Sequence, residues 1–349
     1  MGIGSANMNQ LYNTLFKNPT AKENPKEKPK PMEKIVLIGY GWAGKAFADR
    51  LNTTRYDLTV ISDTPGMLNT TRMKNSLHKD DQSLFRFGRP LIKRESVQRV
   101  DLDRQRVYTS TSKQPYEFDY LVVATGSEVN DYNVPGVKEY CHFFKSHTDL
   151  EKLRSDLHPD KAIVIVGAGP VGLELAFELN NQGYKKITLV EAQTGLLPSF
   201  SQATREKIQS ELETCDISVK FNTPVISVEP IQLKTKNGPS IPYDIAIWNC
   251  GIKPTTLPGL TAGSVDDHLR INASSSVFAI GDITRKGPPT AQNAKQQGIY
   301  LANFFNKNKA YVYDEKIKIL HTKDSIIVDF KQNAFRFPKY FEQIYNLFI

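Results

Sequence analysis

The sequence predicts an α/β fold of two parallel, helix-flanked sheets, the second inserted into the first, followed by a short C-terminal α+β tail. Three observations carry that expectation. An apolar run, Ile35–Ile38, passes into Gly39, Gly41 and Gly44 and then into the helix-compatible KAFADRL. The same strand–turn–helix arrangement returns 128 residues later, where Ile163–Val166 precedes Gly167, Gly169 and Gly172. Each copy is trailed by a second apolar strand that ends on small residues, FDYLVVATG (118–126) and YDIAIWNCG (243–251). Unbroken apolar runs of this length fit parallel strands buried on both faces.

Taken in order, residues 1–33 are rich in Lys, Glu, Pro and Asn and read as a disordered lead, without a secretory apolar core or an Arg-rich presequence pattern. In the first GxGxxG turn the three glycines supply a tight bend, close approach of backbone to a pyrophosphate, and close helix–strand packing, with Trp42 and Ala43 lining the turn. The pyrophosphate would sit on the helix N-terminus. The next strand, YDLTVISD, places Ser62 where an acid usually stands and Asp63 one residue late. At the end of FDYLVVATG, Ala124, Thr125 and Gly126 let a cofactor lie against the backbone.

The second turn includes Pro170 and Val171 between its glycines, and KKITLVEA then ends on Glu191, about 20 residues beyond them. A carboxylate there binds a ribose 2′-OH and repels a 2′-phosphate, which selects NAD(H) over NADP(H). Lys185 and Lys186 precede that strand and point away. YDIAIWNCG closes on Gly251. SVFAIGDI (276–283) is a further buried strand whose Gly281-Asp282 faces the crevice, so that Asp282 can accept hydrogen bonds from flavin ribityl hydroxyls.

In PPTAQNAKQQGIYLANFF, Thr290 is the N-cap of a helix with Ala291 and Ala294 on one side. Gln292 and Gln296, four apart, share a face suited to a carbonyl-bearing acceptor. The positive helix end would point at the flavin pyrimidine edge. YVYDEKIKIL and SIIVDF suggest a strand pair. PKYFEQIYNLFI, from Pro338, then reads as a membrane-surface helix over 338–349, with Lys331, Arg336 and Lys339 near lipid phosphates. The expected divisions are 1–33, a flavin-binding domain of 34–157 and 255–308, an NAD-binding domain of 158–254, and a tail of 309–349.

Composition narrows the function. Cys141, Cys215 and Cys250 form no CxxC pair, which argues for a reducing intracellular compartment and against a zinc site or dithiol motif. The net charge of +8 comes without a nucleic-acid motif and with acids interleaved almost everywhere. The densest basic stretches are KENPKEKPKPMEK and FRFGRPLIKRESVQR, both read as solvated surface. The longest apolar run, AIVIVGAGPVGLELAF, is too short and too glycine-broken to cross a bilayer, leaving a cytoplasmic protein or one peripheral on a membrane.

Over about residues 34–305 the chain resembles the type II NADH dehydrogenases, single-subunit, non-proton-pumping NADH:quinone oxidoreductases built from two Rossmann-like domains. PPTAQNAKQQGIYLA is similar to that family's AQxAxQ quinone-site motif. FDYLVVATG, VPGVKEYCHFFK, GAGPVGLELAFEL, LLPSF, IPYDIAIWNCG and VFAIGD follow in family order. The resemblance implies non-covalent FAD on Gly39, Gly41, Gly44, Thr125, Gly126 and Asp282, and NADH on Gly167, Gly169, Gly172 and Glu191. It also implies Glu174 near the nicotinamide and flavin rings, and a quinone bordered by Gln292 and Gln296. DTPGMLNTTRMK departs from the family's aromatic-rich segment, and the C-terminal region is short. Two alternatives stay open: an NAD(P)H-dependent flavin reductase serving a protein carrier, and a flavoprotein similar to apoptosis-inducing factor with weak turnover. A homodimer is compatible with all three.

Overall fold

The computed structural model describes residues 31–260, 264–272, 274–307, 318–330 and 333–338. Within them the chain forms β1 (Glu33–Ile38), α1 (Trp42–Ala48), β2 (Tyr56–Ser62), β3 (Ile92–Arg94) and β4 (Tyr120–Val123). A second run contributes β5 (Cys141–His142), α2 (His147–Asp156), β6 (Ile163–Val166), α3 (Pro170–Asn181), β7 (Ile187–Val190), α4 (Gln202–Thr214), β8 (Ser218–Lys220) and β9 (Ile245–Trp248). The chain returns with β10 (Val277–Ala279) and α5 (Ala291–Lys307), and then forms β11 (Lys318–His321), β12 (Ser325–Phe330) and β13 (Asn333–Pro338).

One five-stranded sheet has the order β10-β4-β1-β2-β3 and the other β5-β9-β6-β7-β8, with every neighbouring pair parallel. Because β10 pairs with β4 across the whole second run, the second sheet is an insertion in the first. The short β5 pairs with β9, so Cys141–His142 edges the second sheet.

Period-two burial explains how each sheet is covered. Ile35 and Leu37 of β1 pack with Phe47 of α1 and Leu301 of α5, whereas Val36 and Ile38 point the other way, toward Val100, Val107 and Phe118. That second face is covered by an antiparallel layer of Val97–Asp101, Arg106–Thr109 and Tyr116–Glu117, not by helices as the sequence suggests. The inserted unit repeats the plan. Ile163 and Ile165 meet α2, α3 and α4, while Val164 and Val166 meet Val228, Leu233 and Ile241 of a second three-stranded antiparallel layer. A ribbon of Ser127–Val129 with Ile252–Pro254 ties the two crossings between units together.

The tail differs from the expected strand pair. β11, β12 and β13 make a three-stranded antiparallel sheet, because NAFRFP alternates and pairs with β12 from Ser325↔Pro338 to Phe330↔Asn333. Pro338 therefore ends a strand instead of starting a helix; the expected helix from 339 on lies outside the described residues. Arg336, expected near lipid, pairs with Glu211 and donates to Ser325 Oγ at 2.9 Å. Lys331 and Lys339 lie outside the described residues, as do 1–30 of the lead. This sheet docks on the inserted unit: Leu320 and Ile327 join the core of Ile163 and Leu173. Asp329 Oδ2 accepts from Ser201 N (2.7 Å) and Thr204 Oγ1 (2.9 Å) at the start of α4.

Candidate functional site

The two glycine turns solve the same steric problem with the same atoms. At Gly39 (φ +96°) a Cβ would stand 2.3 Å from the Ala124 carbonyl oxygen, and at Gly167 (φ +102°) 2.6 Å from that of Asn249. Only glycine fits where the turn crosses the neighbouring strand end. At Gly44 and Gly172 a Cβ would lie 2.2 and 2.1 Å from the Gly39 and Gly167 oxygens, so these positions let α1 and α3 close onto their strands. The middle glycines behave oppositely: nothing lies within 4 Å of a Cβ at Gly41 or Gly169. Each middle glycine opens onto clear space, and its residue caps a helix with no side-chain hydrogen bond to the first turn. Each turn thus forms an open cradle at a helix N-terminus, the kind of place that suits an anion, with Trp42 and Ala43 following in one copy and Pro170 and the 47% exposed Val171 in the other.

Around the first cradle, Thr125 Oγ1 is buried without a hydrogen-bond partner, and Gly126 (φ +70°) has open space beside it. Asp282 follows Gly281 (φ +83°), whose Cβ position is 3.1 Å from Ala43. The Asp282 carboxylate accepts from Ser127 Oγ at 2.8 Å, and Lys145 Nζ donates to that same Ser127 Oγ at 3.0 Å while lying 3.8 Å from Asp282. Ser127 and Lys145, which the sequence reading passed over, thus orient Asp282 from two other segments. Ser62 is buried and its Oγ lies 3.2 Å from Thr64 Oγ1, while Asp63 is exposed. Neither takes up the carboxylate geometry of the second site.

That geometry belongs to Glu191. Its Oε2 accepts from Ala168 N (2.9 Å) inside the glycine turn and its Oε1 from Gln193 N (2.9 Å). The carboxylate is thereby fixed against the second glycine turn. Lys186 turns away to the Asp160 carbonyl at 3.1 Å. Gly251 (φ +72°) lies across from the turn with Tyr132 OH 2.9 Å from its Cβ position.

Glu174, one turn into α3, is a meeting point of three segments. It accepts from Lys74 Nζ at 2.7 Å and from His321 N at 3.0 Å. Burial pushes the carboxyl up, but Lys74, His321 and these hydrogen bonds outweigh it and hold the pKa below the ordinary value. Lys74 closes DTPGMLNTTRMK, the segment that departs from the family pattern; nothing in the sequence links residues 100 positions apart.

On α5, Thr290 Oγ1 accepts from Asn293 N at 3.1 Å, as its expected capping role requires. Gln292 Nε2 is buried and has no hydrogen-bond partner, and Gln296 is one turn on. Ala294 is buried, with Ala291 partly so. Gln297, given no role by the sequence, is fully buried and bolts the helix to the Gly281 turn: its Oε1 accepts from Gly281 N (2.7 Å) and its Nε2 donates to the Lys286 carbonyl (2.8 Å). Gly298 lets α5 approach α1, since a Cβ there would be 2.2 Å from the Ala43 oxygen. Trp42 Nε1 donates to Thr70 Oγ1 at 3.2 Å, and the Arg86 guanidinium lies 5.6 Å from the Trp42 ring centre. The three cysteines are free, and burial pushes Cys141 and Cys250 up to about 12, so both thiols stay protonated near neutral pH.

A sequence model of the pyridine nucleotide-disulphide oxidoreductases matches residues 33–298. An Arabidopsis thaliana relative described as external alternative NAD(P)H-ubiquinone oxidoreductase B2, mitochondrial, is 28% identical over 313 residues, covering 72% of this chain and 54% of that protein. External NADH-ubiquinone oxidoreductase 2 of Saccharomyces cerevisiae, mitochondrial, is 28% identical over 341 residues, covering 79% and 62%. The chain therefore spans little more than half to under two thirds of these relatives. Among solved structures, NDH2 of Plasmodium falciparum in complex with NADH superimposes with a TM-score of 0.80 over 91% of this chain and 95% of that one, at 19% identity, a likeness of fold.

Proposed function

The chain belongs to the pyridine nucleotide-disulphide oxidoreductase family, and from that premise we propose that it is an FAD-dependent, non-proton-pumping NADH:quinone oxidoreductase. The observation that carries the reading is the pair of matched glycine cradles, each with a middle glycine facing clear space. The buried, unpartnered Thr125 Oγ1 and Gln292 Nε2 fit a ligand that brings its own acceptors. The relatives named above as NAD(P)H- and NADH-ubiquinone oxidoreductases support quinone as the acceptor. No helix among the described residues is long and apolar enough to cross a membrane.

Bound FAD supplies the two-electron chemistry between NADH and the acceptor, and the chain supplies binding, orientation and charge. Gly41, Thr125, Gly126 and Asp282 hold the flavin nucleotide, and Gly169 and Glu191 hold NADH. Glu174, kept ionised by Lys74, sets a hydrogen-bonded ion pair near the nicotinamide and flavin rings. Gln292 offers its free amide to a quinone carbonyl from the first turn of α5, beside Gln296.

Rapid mixing with NADH tests the reading. Flavin absorbance is expected to bleach within milliseconds and to recover on addition of a soluble quinone analogue. Slow bleaching into a long-lived charge-transfer species, with no recovery, would instead favour the apoptosis-inducing-factor-like alternative.

Nucleotide choice follows from Glu191. Losing a charge-assisted hydrogen bond costs about 1.5–3 kcal/mol, or roughly tenfold to 150-fold. Glu191→Ala is expected to lower kcat/KM for NADH by that factor and to raise the NADPH-to-NADH ratio; an unchanged ratio would remove Glu191 from the ribose site.

A further inference from the structure

The first sheet carries an exposed apolar tip that the redox site does not use. Between Phe85–Arg86, which pairs with Met67–Leu68, and β3, which pairs with β2, the chain FGRPL projects from a frame held at both ends. Phe87 is 68% and Leu91 81% exposed, the latter the most exposed of the large apolar side chains in the described residues. Gly88 seats the tip, because a Cβ there would collide with Tyr40 OH at 1.7 Å. Arg86 anchors its base on the Trp42 ring.

The charges within the tip and the strand that follows it are all of one sign. Residues 86–94 contain Arg86, Arg89, Lys93 and Arg94 and no acid. Arg89, Lys93 and Arg94 are exposed and form no ion pair among the described residues. Asp49, the carboxylate next to Gly88, is neutralised by Lys45 at 2.6 Å. Lys45, Asp49, Phe87, Gly88 and Arg89 line a shallow hollow at the foot of the tip. Guarding the free edge of β3 against strand pairing accounts for Lys93 and Arg94. It does not account for two bulky apolar side chains held out in water beside them.

We propose that this tip is a membrane-surface contact: Phe87 and Leu91 enter the interface of an anionic bilayer, and Arg89, Lys93 and Arg94 pair with its lipid phosphates. Exposed apolar side chains interleaved with exposed cations have the division of labour of an interfacial anchor, in which apolar burial and electrostatic attraction add. A protein partner with an acidic rim would use the cations but would need a matching apolar socket; a bilayer accepts the wedge without one. The contact is independent of the redox reading and stands or falls separately from it.

The test uses the full chain with phosphatidylcholine vesicles, with and without phosphatidylglycerol. Phe87→Trp is expected to shift its emission to the blue and to be quenched by brominated acyl chains only when phosphatidylglycerol is present, with the effect weakening as salt rises. The double variant Phe87→Ser, Leu91→Ser is expected to bind anionic vesicles about tenfold more weakly, or worse, at an unchanged Tm. Vesicle binding unaffected by the double variant, or an F87W signal that ignores the brominated lipid, would overturn the proposal by placing any membrane contact elsewhere. A large fall in Tm for the double variant would overturn it too, since the tip would then be covered by another part of the protein.

Discussion

Gly41→Val is expected to fold as the wild type does and to lose its grip on FAD. Gly41 has φ −76° and ψ −160°, an extended conformation open to any residue, and a side chain there meets no protein atom within 4 Å. The isopropyl group would instead occupy the space facing the cradle. Overfilling a fitted site costs about 1–3 kcal/mol, and a pyrophosphate held by backbone has no room to retreat, so the expected loss is at the upper end, roughly 150-fold. Gly39→Val is the contrasting case. Its positive φ and the Ala124 oxygen 2.3 Å from its Cβ position make the fold itself fail. Thermal melts paired with FAD titrations separate the two. Equal damage to stability in both variants would mean that Gly41 only packs.

Among variants expected to fold, Glu174→Gln carries the largest stability effect. The Lys74–Glu174 pair has side chains only 7% and 18% exposed, and removing one member of a buried pair costs about 3–5 kcal/mol because the other is left uncompensated. The pH dependence follows from the depressed carboxyl pKa. A carboxylate whose folded pKa lies below its unfolded one contributes stability that is complete above the ordinary glutamate value, about 4.3, and is lost as pH falls through it toward the folded value. The stability gap between wild type and Glu174→Gln is therefore expected to be widest near neutral pH and to narrow below about pH 4. Lys74→Met removes the leading opposing charge and leaves burial to dominate, so Glu174 is expected to titrate above the ordinary carboxylate range. Denaturant melts across that pH interval measure both; a gap constant with pH would contradict the ion pair.

Much of this architecture was legible because its signals are local. Ile35–Ile38 and Ile163–Val166 are buried on both faces and read as such, and the glycines at 44 and 172 meet the backbone of Gly39 and Gly167 within six residues of sequence. Thr290 and the glutamines after it announced their helix in the same way. The antiparallel layers did not announce themselves. VQRVD and RVYT are short and half-exposed, and their stability comes from covering Val36 and Ile38, a contact no local pattern encodes. Side chains that act across distance were equally silent. Lys74 reaches Glu174, and Ser127 reaches Asp282, over 100 and 155 residues. Pro338 misled in the opposite direction: proline suits a helix start, but here it closes an outer strand of the tail sheet, where no ladder donor is required of it.

The flavin spectrum of the purified, unaltered chain bears most directly on the central claim, that the Gly39–Gly44 turn with Thr125 and Asp282 holds FAD. Stoichiometric, non-covalent FAD, released on denaturation and bleached by NADH, is the expected result. A colourless chain that takes up no added FAD would contradict it.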